Sequence, residues 1–479
     1  MELYDLAILG GGPAGYLAAE RAAASGLKTA LFEESNPGGV CLNEGCIPTK
    51  AMLNASKYYY AAQKFSHYGV HSDGAGISIA HGAVLERKEK VVRTLVSGVK
   101  AKLKAAGAAV FYGHAAIAGK AQQGHGGGNT GGNNSGGGSS GGNYVIAVQT
   151  GQNAGLEVLA ARVLIATGSA PIIPPIDGVR EQLESGLVIT SREALSLEAP
   201  PKELVIVGGG VIGLELADYY NAAGSNVTIV ELLDRIAAPM DLEISNILMA
   251  NLKKKGIAFK TGRRLASASP DGSIAIMPNE TLHADKVLLC VGRKPRTADI
   301  GLEALGVCVE RGAVICDEHM RTNVPNIYAA GDVNGKSMLA HTAYREAECA
   351  VGHMLGKPSR MKYGAIPSVI YTYPEAAGVG ETSESAAAKG LDVRTVKLPL
   401  RYSGRYVAEE DNGDGMCKLL IDPRNRKVAG AHVIGSYASE IILSAAFMIE
   451  SNWPVEALRE LVFPHPTVGE ALRDALFEA

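Results

Sequence analysis

The stretch Leu6-Ala7-Ile8-Leu9-Gly10-Gly11-Gly12-Pro13-Ala14-Gly15 decides how the rest of the chain is read. Four consecutive apolar residues suit a strand buried on both faces, and a glycine-rich turn follows at once. An Ala-rich run over 16–25 is helical in character and stops at Gly26, a residue suited to close a helix. Thr29-Ala30-Leu31-Phe32 then reads as a second strand that ends at the acid Glu33. Strand, tight turn, helix and strand make a βαβ unit.

The same unit recurs. Leu204-Val205-Ile206-Val207 leads into Gly208-Gly209-Gly210-Val211-Ile212-Gly213, a helix is expected to about Ala223, and Val227-Thr228-Ile229-Val230 ends at Glu231. Glu33 stands 18 residues beyond Gly15, and Glu231 stands 18 beyond Gly213. A G-x-G-x-x-G pattern alone says little, but both copies follow a strand, open a helix and carry an acid at the expected distance. Gly10, Gly12 and Gly15, and again Gly208, Gly210 and Gly213, let the backbone turn tightly and approach a pyrophosphate at a helix N-terminus. Glu33 and Glu231 suit a ribose diol, although an acid can also simply end a strand. At Glu231 a carboxylate favours a free 2′-hydroxyl over a 2′-phosphate, hence NAD over NADP; the nearby Arg235 pulls the other way.

The bulk properties exclude several classes. The chain has 479 residues, 47% hydrophobic and 20% charged, so a sizeable core is expected. A formal net charge of -3 offers no electrostatic footprint for nucleic acid and no polybasic membrane anchor. No apolar stretch reaches the roughly 20 residues of a membrane span. A cytoplasmic location is expected, or a mitochondrial matrix if a presequence has been removed. Gly, Asn and Ser dominate 124–143, a composition that cannot offset its ordering entropy, so a disordered extension at a hairpin tip is expected there. From about Tyr363 the pattern changes to alternating runs such as 416–421 and 428–434, which predict an antiparallel sheet with helices.

Seven cysteines scattered over such a length do not make a secreted disulfide framework. Cys290, Cys308, Cys316, Cys349 and Cys417 each stand alone and suit small buried hydrophobes. Cys41 and Cys46 differ, lying within Gly38-Gly39-Val40-Cys41-Leu42-Asn43-Glu44-Gly45-Cys46-Ile47-Pro48-Thr49-Lys50. No His or Cys cluster nearby supplies further metal ligands, so no metal site is expected. A helix is expected to begin after Pro48, and thiols near a helix N-terminus and a lysine favour the thiolate that attacks disulfides.

This segment resembles the CxxxxC active site of the flavoprotein disulfide reductases, and its GG-x-C-L-N-x-G-C-I-P-[ST]-K pattern resembles their dihydrolipoamide dehydrogenase branch. Ile165-Ala166-Thr167-Gly168, Val291-Gly292-Arg293, Ala330-Gly331-Asp332 and His465-Pro466-Thr467 with Glu470 extend the resemblance over the chain outside the insert. The resemblance implies an α/β fold with two Rossmann-like dinucleotide-binding domains, for FAD and NAD, and a C-terminal α+β dimerisation domain. The expected division is 1–170 for FAD, 171–294 for NAD, 295–358 returning to complete the FAD domain, and 359–479 for dimerisation. FAD, bound tightly but not covalently, belongs on the first unit because the cysteines directly follow it.

The resemblance also implies roles. Cys46 lies by the flavin, Cys41 meets the substrate, and Lys50 lies by the reactive flavin nitrogen, paired with Glu215. Thr167, Gly168 and Asp332 contact FAD, and Gly292 and Arg293 line the nucleotide path. His465, between Pro464 and Pro466, is the acid–base group, oriented by Glu470. By spacing alone, Thr467-Val468-Gly469-Glu470 reads equally well as a capping box. In this family the histidine serves the partner subunit's disulfide, so a homodimer is implied, with lipoyl domains of acyltransferases or glycine-cleavage carrier proteins as partners. The implied reaction oxidises protein-bound dihydrolipoyl groups and passes the electrons through the cysteine pair and FAD to NAD+. The sequence departs from the family pattern at Val40, often Thr, at Phe463, often His, and at Gly469, commonly Ser. None of these removes a group the mechanism needs. The alternative is a sister reductase with another disulfide substrate.

Overall fold

A computed structural model describes residues 1–71, 76–121, 142–410 and 413–479. Leu6–Leu9 is a strand with all four residues buried, and its parallel neighbours are Thr29–Glu33 and Val163–Ile165. Ala109–Tyr112 and Ile327–Ala329 complete a five-stranded parallel sheet. A central strand in such a sheet is covered on both faces, which is why its sequence is unbroken apolar instead of alternating. The following helix starts earlier than its Ala-rich run suggests. It spans Pro13–Ala24, with Pro13 in the first turn, where an amide hydrogen has no intrahelical acceptor. Ala14, Gly15, Ala18, Ala19 and Ala22 form its buried face.

This sheet lies in a compact unit made of Met1–Pro48, Glu89–Ile172 and Arg293–Lys362. The same unit pairs the antiparallel strands Ala115–Lys120 and Tyr144–Val148, with Lys120 opposite Tyr144. The insert expected to be disordered over 124–143 falls between these strands. Apart from its last two positions it lies outside the described residues.

The second compact unit comprises Thr49–Lys88, Ile173–Gly292 and Tyr363–Ala479. Its parallel sheet repeats the first arrangement: Glu203–Val207 is central, flanked by Asn226–Val230 and Lys286–Leu289, with Val188–Thr190 and Ala258–Lys260 at the edges. The duplication read from glycine spacing is therefore also a duplication of strand order. The C-terminal part forms a separate five-stranded antiparallel sheet, in the order Ser368–Ile370, Glu375–Gly380, Lys427–Gly435, Met416–Asp422, Arg394–Pro399. The alternating runs predicted there lie in its two central neighbours, which register Leu419 opposite Ala431.

Helices Ala438–Ser451 and Glu470–Phe477 pack on this sheet through one apolar cluster, to which the last helix contributes Ala471, Leu472, Ala475 and Leu476. Spacings of one, three and four residues place these side chains along one face. Leu472 is fully buried and ties to the core the helix that begins with Glu470. Leu472→Ala is expected to destabilise this unit by about 2–5 kcal/mol, through lost transfer energy and the cavity left behind. Leu472→Met, which keeps the volume, is expected to cost less than about 1.5 kcal/mol. Denaturant titration of the two variants checks the difference.

Candidate active site

The two glycine turns have the same geometry. Gly10 and Gly208 adopt φ of +99° and +112°. A Cβ there would lie 2.4 Å from the Ala166 carbonyl oxygen and 2.2 Å from that of Cys290. Both the backbone angle and the close approach exclude a side chain. The helices that follow start from Gly12 and Gly210, extended residues with no side-chain cap. A Cβ on Gly210 would meet nothing within 4 Å, so the ground before that helix is open. Uncapped first-turn amides at the positive end of a helix dipole, reached through an open approach, fit a dinucleotide pyrophosphate.

The two acids are also held alike. Glu33 Oε2 accepts the Gly11 N–H at 2.7 Å and Oε1 accepts the Ser35 N–H at 2.8 Å. Glu231 Oε2 accepts the Gly209 N–H at 2.5 Å and Oε1 accepts the Leu233 N–H at 2.8 Å. Glu231 keeps a second lone pair on each oxygen for a ribose hydroxyl, and Glu33 keeps one on Oε2, while its Oε1 also meets the Ser35 hydroxyl at 3.4 Å. Burial pushes the Glu33 carboxyl up, and the Ser35 and Gly11 amides oppose that shift. Arg235 donates to the Met240 carbonyl oxygen, which engages its guanidinium.

The cysteine segment rests on the first glycine turn. The Gly38 N–H donates to the Gly11 carbonyl at 2.7 Å. A Cβ on Gly39 would stand 2.5 Å from Gly12 Cα, so the two backbones meet with no side chain between them. Cys41 lies in the short helix Gly39–Glu44, fixed by Leu42, which packs with Val92 and Val96. Cys46 opens the helix Cys46–Ala62, so that helix begins before Pro48 and not after it. Proline is tolerated in a first turn, which explains the earlier start. A sulfur at a helix N-terminus feels the positive end of the dipole, which favours the thiolate. Elsewhere, burial pushes the Cys316 and Cys417 thiols up to about 11 and about 12, which suits inert core residues.

Lys50, four residues after Cys46, reaches the Glu215 carboxylate at 2.7 and 3.0 Å. Glu215 is buried and its Oε1 also accepts the Tyr371 N–H at 3.0 Å, while the ammonium lies 4.5 Å from the centre of the Tyr371 ring. Sequence reading missed Tyr371, because nothing local marks a residue whose amide and ring face an ion pair built from distant helices. It likewise missed Tyr344, whose hydroxyl meets that of Tyr16 at 2.5 Å. Burial and the contact with Tyr344 push the Tyr16 phenol up.

Asp332 follows Gly331, whose amide donates to the buried Glu346 carboxylate at 2.6 Å. Ser169, directly after Gly168, donates from its hydroxyl to Asp332 Oδ2 at 2.5 Å. Thr167 donates to the Arg296 carbonyl at 2.6 Å, and Gly168 adopts φ of +72°. Gly292, at φ +107°, precedes the strand Arg293–Pro295, which pairs antiparallel with Ser169–Pro171.

His465 Nδ1 lies 2.8 Å from Glu470 Oε1, and the other carboxylate oxygen accepts the Thr467 N–H at 2.8 Å. The capping box is therefore only half present: the Thr467 hydroxyl donates to the Pro464 carbonyl, and the helix takes its N-cap from Gly469. Glu470 serves the turn with one oxygen and the imidazole with the other. The imidazole itself is 78% exposed, so it faces away from its own unit's core. The Thr467 amide and then His465 pull the Glu470 carboxyl below its ordinary 4.5. A depressed folded pKa stabilises above the unfolded value and loses that effect as pH falls through the folded one. The stability difference between the wild type and Glu470→Gln is therefore expected to be full above pH 4.5 and to shrink below it. Thermal melts of both proteins from neutral to acid pH test this.

Among the described residues no helix is long and apolar enough to cross a membrane, and no group of three His, Cys, Asp or Glu side chains is placed to hold a metal ion. Residues 4–347 match the pyridine nucleotide-disulphide oxidoreductase family and residues 366–476 match the dimerisation domain of that name. The chain is 34% identical over 472 residues to a dihydrolipoyl dehydrogenase of Chlamydia muridarum, covering 98% of this chain and 95% of that one. It is 36% identical over 486 residues to the dihydrolipoyl dehydrogenase of Bacillus subtilis, covering 99% and 98%. The crystal structure of LpdA from Mycobacterium tuberculosis superposes with a TM-score of 0.86 at 26% identity, covering 100% of this chain and 99% of that one.

Proposed function

We propose that this chain, which belongs to the pyridine nucleotide-disulphide oxidoreductase family, is a dihydrolipoyl dehydrogenase that acts as a homodimer. One observation carries the reading: the segment holding Cys41 and Cys46 is fastened to the first dinucleotide turn by the Gly38–Gly11 hydrogen bond and the Gly39–Gly12 contact. A dithiol fixed there is placed to exchange electrons with a nucleotide cofactor.

The uncapped turns fit two dinucleotides, with Gly10, Gly12, Gly15, Glu33, Thr167, Gly168 and Asp332 for FAD and Gly208, Gly210, Gly213 and Glu231 for NAD. The buried Asn334 amide nitrogen, two residues from Asp332, has no partner among the described residues and offers a further donor. When bound, FAD supplies two-electron transfer between the dithiol and the nicotinamide. The residues of the chain do the rest. His465, oriented by Glu470, takes the proton of a dihydrolipoyl thiol. The thiolate forms a bond to Cys41 Sγ as the Cys41–Cys46 bond breaks, releasing Cys46 as the thiolate. The second substrate thiol then attacks the substrate's first sulfur in the mixed disulfide, the bond to Cys41 breaks, and the proton it loses passes to the Cys41 sulfur. The lipoyl disulfide departs, and its two electrons stay in the cysteine pair.

The dimer is supported by the exposed apolar side chains of the C-terminal domain. Leu443 and Phe447 lie on one helix face, with Phe447 in edge-to-face contact with Trp453, and Val462 is 96% exposed three residues before His465. The exposed pair of Phe447 and Trp453 with Leu443 one turn away is apolar surface suited to an interface. An exposed histidine three residues from Val462 suits a site shared with a second copy. Lipoyl domains of acyltransferases or glycine-cleavage carrier proteins are the expected partners.

The purified protein is expected to form NADH rapidly from dihydrolipoamide and NAD+, and slowly if at all with NADP+. Cys46→Ser is expected to abolish this turnover, and His465→Gln to lower it by about 10²–10⁴-fold. Absence of turnover in the flavin-loaded wild type, with reduction of another disulfide by NADPH, would establish the sister-reductase reading instead.

A further inference from the structure

Arg293 has the sequence context of a residue on the nicotinamide path, but its side chain is committed elsewhere. Its Nε donates to Ser169 Oγ at 2.7 Å and its Nη2 donates to the Ser169 carbonyl oxygen at 2.7 Å. Both bonds fall on one residue, and the strand pairing of Arg293 with Pro171 holds the two backbones in register. Ser169 is buried, and its hydroxyl meets Asp332 Oδ2 at 2.5 Å.

The direction of these bonds is fixed by chemistry. A guanidinium has no acceptor, so Ser169 Oγ must accept from Arg293. A hydroxyl has one hydrogen, which is then left for Asp332. The chain runs one way, Arg293 to Ser169 to Asp332, and it occupies Oδ2 of the carboxylate. Oδ1 has no protein partner among the described residues. On the other side, the Gly331 amide bonded to buried Glu346 fixes the backbone that carries Asp332.

We infer that Ser169 and Arg293 are positioning residues for flavin binding: Arg293 sets the Ser169 hydroxyl, and Ser169 turns Asp332 so that Oδ1 faces the hydroxylated chain of the flavin. This rests on the proposal that Asp332 contacts FAD. A carboxylate pinned at one oxygen loses little rotamer freedom when it binds through the other, and the bond from Ser169 to a charged acceptor is of the stronger kind. Arg293 thereby serves the flavin through Ser169.

The test measures FAD affinity by flavin fluorescence on deflavinated full-length protein, with NAD+ affinity of the reloaded holoenzyme measured alongside. Ser169→Ala is expected to weaken FAD binding about tenfold, the size of one hydrogen bond to a charged group, and Ser169→Thr, which keeps the hydroxyl, to restore it. Arg293→Met is expected to weaken FAD binding and leave NAD+ affinity unchanged. Because Arg293 acts through Ser169, the double variant is expected to lose little more than Ser169→Ala alone. Wild-type FAD affinity in Ser169→Ala, fully additive losses in the double variant, or weakened NAD+ binding with normal FAD binding in Arg293→Met would each overturn the inference. Asp332→Ala separates the two levels. If it binds FAD normally, the flavin reading of Asp332 fails. If it loses FAD while Ser169→Ala does not, only the positioning role fails.

Discussion

The contact between Gly39 and Gly12 is the constraint on which the proposed chemistry of this chain depends. A Cβ on Gly39 would stand 2.5 Å from Gly12 Cα, so the two backbones can meet only because Gly39 has no side chain in the way. The Gly38–Gly11 hydrogen bond closes the same junction from the next peptide along. A redox-active pair is useful only where electrons can leave it, and a flexible loop would hold two thiols at many distances from a bound cofactor. Here the loop is short, and it is fastened at its start to the turn that is shaped to bind one. Cys46 then gains a helix N-terminus, so the same local geometry sets both its position and its charge preference.

Much of this was legible in the sequence, for a physical reason. The βαβ turns are local: their strand, glycines, helix and acid lie within about thirty residues, with the glycines required by backbone sterics and the acid by the amides it accepts. Leu6–Leu9 was read to the residue because a strand covered on both faces has no polar positions to blur its ends. Helix starts were read less well. The helix at Pro13 and the helix at Cys46 both begin before the helical-looking run, since the first turn of a helix tolerates prolines and glycines that score poorly inside one. The C-terminal sheet was legible as alternation but not as an order of strands, because that order depends on pairings such as Glu375–Gly380 with Lys427–Gly435 across about fifty residues.

What was not legible is tertiary. Tyr371 meets Glu215 across 156 residues, and Arg293 meets Ser169 across 124. Neither pair shares an element or a periodicity, so no motif joins Arg293 to its side-chain partner. Glu470 shows the intermediate case. Its spacing from Thr467 and from His465 allowed two readings, and both describe real hydrogen bonds, because a carboxylate has two oxygens and each took one partner.

That arrangement recurs at every acid proposed to touch a cofactor or a catalytic group. Glu33 and Glu231 are each held by a glycine-turn amide and by the amide two residues on. Glu215 is held by the Tyr371 amide while it receives Lys50, and Asp332 by Ser169. In each case a protein donor fixes the carboxylate's rotamer before a functional partner binds. A free carboxylate on a flexible stem would lose rotational entropy at the moment of binding; a pinned one has lost it on folding. Desolvation is also partly met in advance, as at Glu33, where burial opposes the charge. The donors are mostly backbone amides, and backbone amides cannot be removed by substitution of a neighbouring side chain. Ser169, and at 3.4 Å the Ser35 hydroxyl on Glu33, depart from this, and Ser169 is the one that holds its acid with no backbone amide beside it. Its hydroxyl is a side-chain donor whose direction depends on a further side chain, and it is therefore where a single substitution can uncouple the position of an acid from the fold that carries it.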